Sequence, residues 1–221
     1  MMGNLVDPNK KDSFSNNLRR KRFELFLSLI KNMLTPIKIL DVGGTEIFWE
    51  NMNFGVSGSD EKNVEITLLN IELIGVKRPN FRSLLGDARN MDCFKDNEFD
   101  MVFSNSVIEH VGNFSDQKRM ADEIKRVGKR YYIQTPNYHF PIEPHFLFPF
   151  FQFLPLSVRA GLINNFNLGN TNRIPDKKEA FSYVQNLQLL SYKKLSVLFP
   201  EANLHREKFM GMTKSFVCIK N

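Results

Sequence analysis

The chain is predicted to fold as an α/β protein, with a mostly parallel sheet of about seven strands and helices on both faces. Five short apolar runs, each stopping at polar or turn-forming residues, predict the strands. A helical repeat between the fourth and fifth runs predicts a crossover, the signature of parallel pairing. Two further runs at the C-terminal end are joined so tightly that they must pair antiparallel.

In order, residues from about 16 to 34 read as a helix. Phe23, Leu25, Phe26, Leu29 and Ile30 form one apolar stripe, and Pro36 ends the run. Ile37 to Leu40 then reads as a strand stopping at Asp41 and two glycines. Val64 to Leu69 ends at Asn70-Ile71-Glu72, and Phe81 to Leu85 ends at Gly86-Asp87. Phe99 to Phe103 ends at Ser104-Asn105-Ser106. Arg130 to Gln134 ends at Thr135-Pro136-Asn137. Asp116 to Val127 has helical spacing through Met120, Ile124 and Val127, and Gly128 stops it. Asn203 to Phe209 and Lys214 to Ile219, with Gly211 between, make the closing hairpin.

At 221 residues and 42% apolar content, a single domain over 1–221 with its own core is expected. The two cysteines, Cys93 and Cys218, are far apart and unpaired in sequence, so neither a zinc site nor a disulfide frame is expected, and no metal is assigned. The first fifteen residues carry no apolar leader, and the longest apolar stretch, Phe146 to Pro155, is too short to cross a bilayer. A cytoplasmic protein is the simplest expectation. The net charge of +6 draws on groups such as Arg19-Arg20-Lys21-Arg22, read as a solvated helix face; nucleic acid is not the expected partner.

In parallel sheets ligands sit beyond the carboxyl ends of the strands. Asp41, Asn70, Asp87 and Ser104-Asn105 occupy those ends here. Each alone is an ordinary turn or cap residue; four together describe a polar cleft. Gly43 and Gly44 let the backbone approach a ligand, and Asp41 offers a carboxylate to a cationic amine. A dinucleotide fingerprint is missing, because the turn reads Gly-Gly-Thr-Glu-Ile-Phe, and no Walker loop follows. The residues themselves indicate a nucleoside-like ligand and leave its identity open.

The order of these motifs resembles the class I S-adenosylmethionine-dependent methyltransferases, of the methyltransferase type 11 kind, over residues from about 36 to 137. Ile39-Leu40-Asp41-Val42-Gly43-Gly44 looks like their first motif, whose acid and glycines hold the methionine end of the cofactor; Thr45 follows it. Gly86-Asp87-Ala88 looks like the third-strand motif facing the adenine amino group. Asp100 to Val111, containing Ser104, Asn105 and His110, is similar to the fourth-strand motif and the helix after it. Glu123 to Val127 resembles the helix leading into strand five. The resemblance implies S-adenosyl-L-methionine as cofactor and methyl transfer as activity. Two departures stand out. Asn70 replaces the usual ribose-binding acid, with Ile71 beside it and Glu72 as a substitute if the strand continues. The glycine turn is also shorter, with Thr45-Glu46 where a further Gly is common.

After strand five, residues from about 138 to 190 fall where this class carries a substrate-cap insertion. The segment Phe-Pro-Ile-Glu-Pro-His resembles small bacterial methyltransferases associated with surface glycans. An O-directed transfer to a small-molecule, glycan or lipid-linked acceptor is therefore expected, and a hydroxyl acceptor needs a base. His145, held in its loop by Glu143 and two prolines, leads as that base, ahead of His139 and His110. Phe146, Phe148, Phe150, Phe151 and Phe153 read either as core under a helical lid or as an apolar patch for peripheral membrane contact. Two other readings stay open: a dehydrogenase on the same fold, and a non-catalytic cofactor-binding or scaffold protein, for which Asn70 is the best support.

Overall fold

The computed structural model describes residues 14–56 and 63–221. Helix α1 (Phe14–Ile30) is followed by β1 (Ile37–Val42), α2 (Glu46–Met52), β2 (Val64–Asn70), β3 (Phe81–Leu85) and β4 (Met101–Asn105). Then come α3 (Phe114–Val127) and β5 (Tyr131–Pro136). A two-stranded ribbon of β6 (Ile142–Glu143) and β7 (Phe148–Pro149) leads into α4 (Leu156–Asn165), α5 (Lys177–Asn186) and α6 (Tyr192–Leu198). The hairpin of β8 (Asn203–Phe209) and β9 (Met212–Lys220) closes the chain.

The main sheet has seven strands in the order β3-β2-β1-β4-β5-β9-β8. Its first five strands are parallel, and β9 pairs antiparallel with both β5 and β8. The order reverses between β1 and β4, so the carboxyl ends of β1, β2 and β4 open on a crevice at the switch point. Every residue of β5 is buried, as expected of a strand covered on both faces.

Two cores sandwich the sheet. On one face Leu40, Val102, Tyr131 and Ile133 of the sheet cluster with Ile124 of α3 and Leu195 of α6. The other face collects much of the phenylalanine excess. Phe23 and Phe26 of α1 meet Trp49, Phe54, Phe103 and Tyr132, mostly edge to face at 5.1–6.4 Å between centroids. Aromatic quadrupoles favour that geometry over face-to-face stacking, and Phe103 on Tyr132, at 5.5 Å and 5°, is the parallel exception.

Element ends shift for local reasons. The fourth-strand helix begins at Phe114 rather than Asp116, because Asn113 caps it. Its Oδ1 accepts from the amides of Ser115 and Asp116, and Asp116 accepts from the Asn113 amide in return. Strand β2 ends at Asn70, so Glu72 lies past it in an exposed bend. Arg22 does not belong to a solvated face: it pairs with Glu207 at 2.9 Å and donates to Asn105 Oδ1 at 3.1 Å.

Residues 138–190 build a third cluster beside the sheet, with Phe146, Phe151, Ile163, Ala180 and Val184 at its centre. The phenylalanine run divides between core and surface. Phe146 and Phe151 are core, whereas Phe150 and Phe153 are exposed at 57% and 46%. Among the described residues no helix is long and apolar enough to cross a membrane.

Candidate functional site

Beyond the carboxyl ends of β1, β2 and β3 lies a cavity of about 790 Å³, walled by Gly43, Asn70, Ile71, Asp87, Ala88 and His110 among others. A smaller one of about 170 Å³ adjoins Asp41, Gly44, Thr45 and Asn105. Gly43 lines both.

Asp41, the last polar residue of β1, is 1% exposed. Its Oδ2 accepts a 2.8 Å hydrogen bond from the Trp49 indole, while Oδ1 is buried with no partner. Burial pushes its pKa up to about 7, against the smaller pull of the Trp49 bond. The turn after it is shaped by contact. Gly43 has φ +79°, and a Cβ there would sit 2.5 Å from Val107. A Cβ on Gly44 would fall 1.7 Å from Asp41 Oδ2. Gly44→Ala is therefore expected to lower the melting point, by about 2–3 kcal/mol of stability, and to remove binding at the Asp41 turn; differential scanning fluorimetry with and without S-adenosylhomocysteine checks both.

Asn70 has a structural reason to be an amide. Its Nδ2 donates to the Gly44 carbonyl at 2.9 Å, stitching the short turn to β2. A carboxylate could not donate there and would face a carbonyl instead. Thr45 sits at the N-cap of α2 without a side-chain cap bond and faces the smaller cavity. Asp87 faces the larger cavity but is engaged: Arg89 grips both its oxygens at 2.6–3.0 Å, and that bond holds its pKa below the usual carboxylate range. Ser104 lies apart from both cavities. It is fully buried, and its hydroxyl donates to the Val42 carbonyl at 3.1 Å, tying β4 to β1. Glu72 likewise does not line either cavity, because β2 ends before it.

A second group lies where residues 138–190 meet β5. Glu143 is 1% exposed and accepts from the amides of His145 and Phe146 and from His145 Nδ1, the last at 2.6 Å. His145 Nε2 lies 3.1 Å from His110 Nε2, the rings nearly perpendicular at 88°. Glu109 is fully buried, with one oxygen accepting from Thr135 at 2.9 Å and the other without a partner. Burial raises Glu109 to about 6. His110 is exposed along one side of its ring, yet desolvation of its packed side and the charge of His145 lower it to about 4. Burial would lower His145 too, but the Glu143 bond and the Glu143 and Glu109 charges hold it above the usual histidine value. The shared proton therefore rests on His145 and is donated to His110. Ligand atoms of Glu109, His110 and His145 also lie within 4.8 Å of one another, yet that one proton accounts for the approach of the two rings. His139 is exposed against Tyr138, away from this group.

Trp49 and Arg89 are site residues the sequence reading left out, although Arg89 stands two residues from Asp87. Glu109 lay inside the Asp100–Val111 motif without a role of its own.

Residues 42–131 match the family model described as methyltransferase domain. Two proteins of Mycobacterium tuberculosis, both named uncharacterized protein (MT1557 in strain CDC 1551 / Oshkosh, Rv1509 in strain ATCC 25618 / H37Rv), are similar to part of this chain. Each is 33% identical over 79 residues, 36% of this chain. The chain covers only 27% of the length of these relatives. Among solved structures, the CurJ carbon methyltransferase superposes with a TM-score of 0.56 at 7% identity, over 90% of this chain and 52% of that one. A SAM dependent methyltransferase from Aquifex aeolicus gives 0.48 at 12% identity, over 97% and 89%. The family match assigns residues 42–131 as a methyltransferase domain, and S-adenosylmethionine is the cofactor expected of it. The residues fit that group. A buried carboxylate oxygen without a partner stands beside a small cavity, and a glycine there has no room for a side chain.

Proposed function

We propose, from the premise that residues 42–131 are an S-adenosylmethionine-dependent methyltransferase domain, that the chain methylates a hydroxyl oxygen of a small-molecule, glycan or lipid-linked acceptor. When bound, the cofactor supplies an electrophilic methyl group on a sulfonium. Asp41, Gly43, Gly44 and Thr45 would hold its amino-acid end, Asn70 and Ile71 its ribose, and Asp87 and Ala88 its adenine. Because Asn70 spends its amide on Gly44, its carbonyl oxygen is left to accept from a ribose hydroxyl.

One observation carries the assignment of the acceptor side. His145 lies between two cavities without lining either: it bonds to His110, which lines the larger one, and to Glu143, which lines another of about 220 Å³ beside residues 138–190. An acceptor in the second cavity and a donor in the first would meet at this histidine. For that step His145 gives up its 3.1 Å contact with His110 and turns Nε2 to the acceptor: in its neutral form it takes the hydroxyl proton as the oxygen gains the methyl, and Glu143 stabilises the imidazolium through Nδ1. His110, low in basicity, stays neutral beside it. Residues 138–190 are then the acceptor's cap.

The test is release of S-adenosylhomocysteine by the purified chain from a panel of hydroxyl acceptors: phenols, catechols, sugars and sugar lipids. Turnover confined to hydroxyl acceptors supports the reading. Turnover on amines alone overturns it, and cofactor binding without turnover on any acceptor favours a non-catalytic protein.

A further inference from the structure

The cavity under the cap holds charged groups that methyl transfer leaves without work. Arg159, in the first turns of α4, projects into this space of about 220 Å³ beside Tyr138, Gln152 and Lys194. Among the described residues its guanidinium makes no hydrogen bond and no ion pair, and its Nε is buried without a partner. The residue is half-buried, and Nε is the part of its donor fork that is closed off from water with nothing to meet it. Gln152 explains part of the wall and not the rest. Its Nε2 donates to the carbonyls of Tyr138 and Phe140 at 3.0 and 2.7 Å, but its Oε1 is buried without a donor.

The nearby acid is felt by Arg159 through its charge but forms no ion pair with it among the described residues. Glu143 lines the same cavity, yet three N–H groups of His145 and Phe146 already take its oxygens. Lys194 adds a second cation at the rim, its ammonium 5.7 Å from the centre of the Phe114 ring. Partial burial pulls the Arg159 pKa down, against the smaller upward pull of Tyr138 and Glu143.

We infer that this cavity binds a compact oxyanion of the acceptor, a carboxylate or a phosphate monoester, on the Arg159 guanidinium, with Gln152 Oε1 accepting from a neighbouring hydroxyl. The planar fork of arginine suits two oxygens of either group. Gln188 lines both this cavity and the donor cavity, so an anchored acceptor extends from Arg159 toward the Glu143–His145 pair. The inference rests on the acceptor reading above for its biological sense, but the site itself is tested without any methyl donor.

The experiment follows the Arg159 Nε–H resonance of the full chain by NMR, assigned by its loss in R159Q. Inorganic phosphate is titrated in one arm and benzoate in another, at ionic strength held constant with chloride. The expected result is a saturating shift at millimolar concentration in one or both arms, with affinity at least tenfold weaker in R159Q, read there from backbone amides of Tyr138 and Gln152. Saturation with phosphate alone assigns phosphate-bearing acceptors, and with benzoate alone carboxylates. No saturation in either arm, or equal affinity in R159Q, overturns the site. R159K serves as a folded control that keeps the charge and loses the fork; it should bind more weakly than wild type. Failure of S-adenosylhomocysteine to bind would instead strike the methyltransferase reading and leave this result standing.

Discussion

Asp41→Asn abolishes the rise in melting temperature that S-adenosylhomocysteine gives the wild-type chain, and weakens its binding by about 100-fold or more. The loss follows from charge, since an amide at this position still accepts the Trp49 indole bond and fills the same volume. What disappears is a buried anion poised for a cationic amine, an interaction of about 1.5–3 kcal/mol or more where water is scarce. The pH dependence is a second signature. Folded Asp41 titrates at about 7, against an ordinary aspartate value of 3.8. Its contribution to folding is thus full below about pH 4 and is lost as pH rises toward 7, a span worth on the order of 4 kcal/mol. Glu109, raised to about 6, acts in the same direction over a narrower window. His110, lowered to about 4, works the other way over the same window in both proteins, so the test is the difference: the unliganded wild type should lose more stability from pH 4 to 7 than Asp41→Asn does. Ligand binding runs the other way: it favours ionised Asp41, so affinity rises up to about pH 7 and releases a proton below it. Calorimetry in buffers of different ionisation enthalpy measures that proton. An Asn variant that binds as tightly as wild type would remove Asp41 from the site.

The contrast between Asp41 and its neighbours shows what a sequence of this kind makes readable. Strand ends were legible because a parallel strand buried on both faces is apolar throughout and must turn polar where it leaves the sheet; Asp41, Asn70, Asp87 and Asn105 all lie at or just past such ends. The closing hairpin was legible for a similar reason, the brevity of its connection. Side-chain partnerships were not. That Trp49 binds Asp41, or that Arg22 reaches both Glu207 and Asn105, depends on how α1 and α2 lie against the sheet, and no periodicity encodes it. Asn70 is the instructive case. Read along the chain it is a lost acid; in the fold it is the donor that a shortened glycine turn requires. Ser104 shows the reverse, a polar residue at the right strand end whose hydroxyl is consumed by the β1 backbone.

The other large effect is expected at the junction of the two cavities. His145→Gln lowers kcat by about 10²–10⁴-fold on any acceptor that the wild type methylates, while S-adenosylhomocysteine binds as before, because the histidine lies outside both cofactor cavities. Only neutral His145 can take a proton, and its pKa is held above the usual histidine value, the Glu143 bond outweighing burial. The rate should accordingly rise with pH through that elevated value and then level. Glu143→Gln separates positioning from charge. The amide can still accept from Nδ1, but without the negative charge the histidine becomes less basic, so the acid limb of the profile moves to lower pH as kcat falls. A residue needed only for packing would lower kcat without moving the limb. Glu109→Gln provides the internal comparison: its charge also supports protonated His145, so the limb should move the same way, and by less, since no direct bond joins the two. A His145 variant with wild-type kcat, or a Glu143 variant with an unshifted profile, would assign the pair to the architecture of the cap and place the proton's acceptor elsewhere.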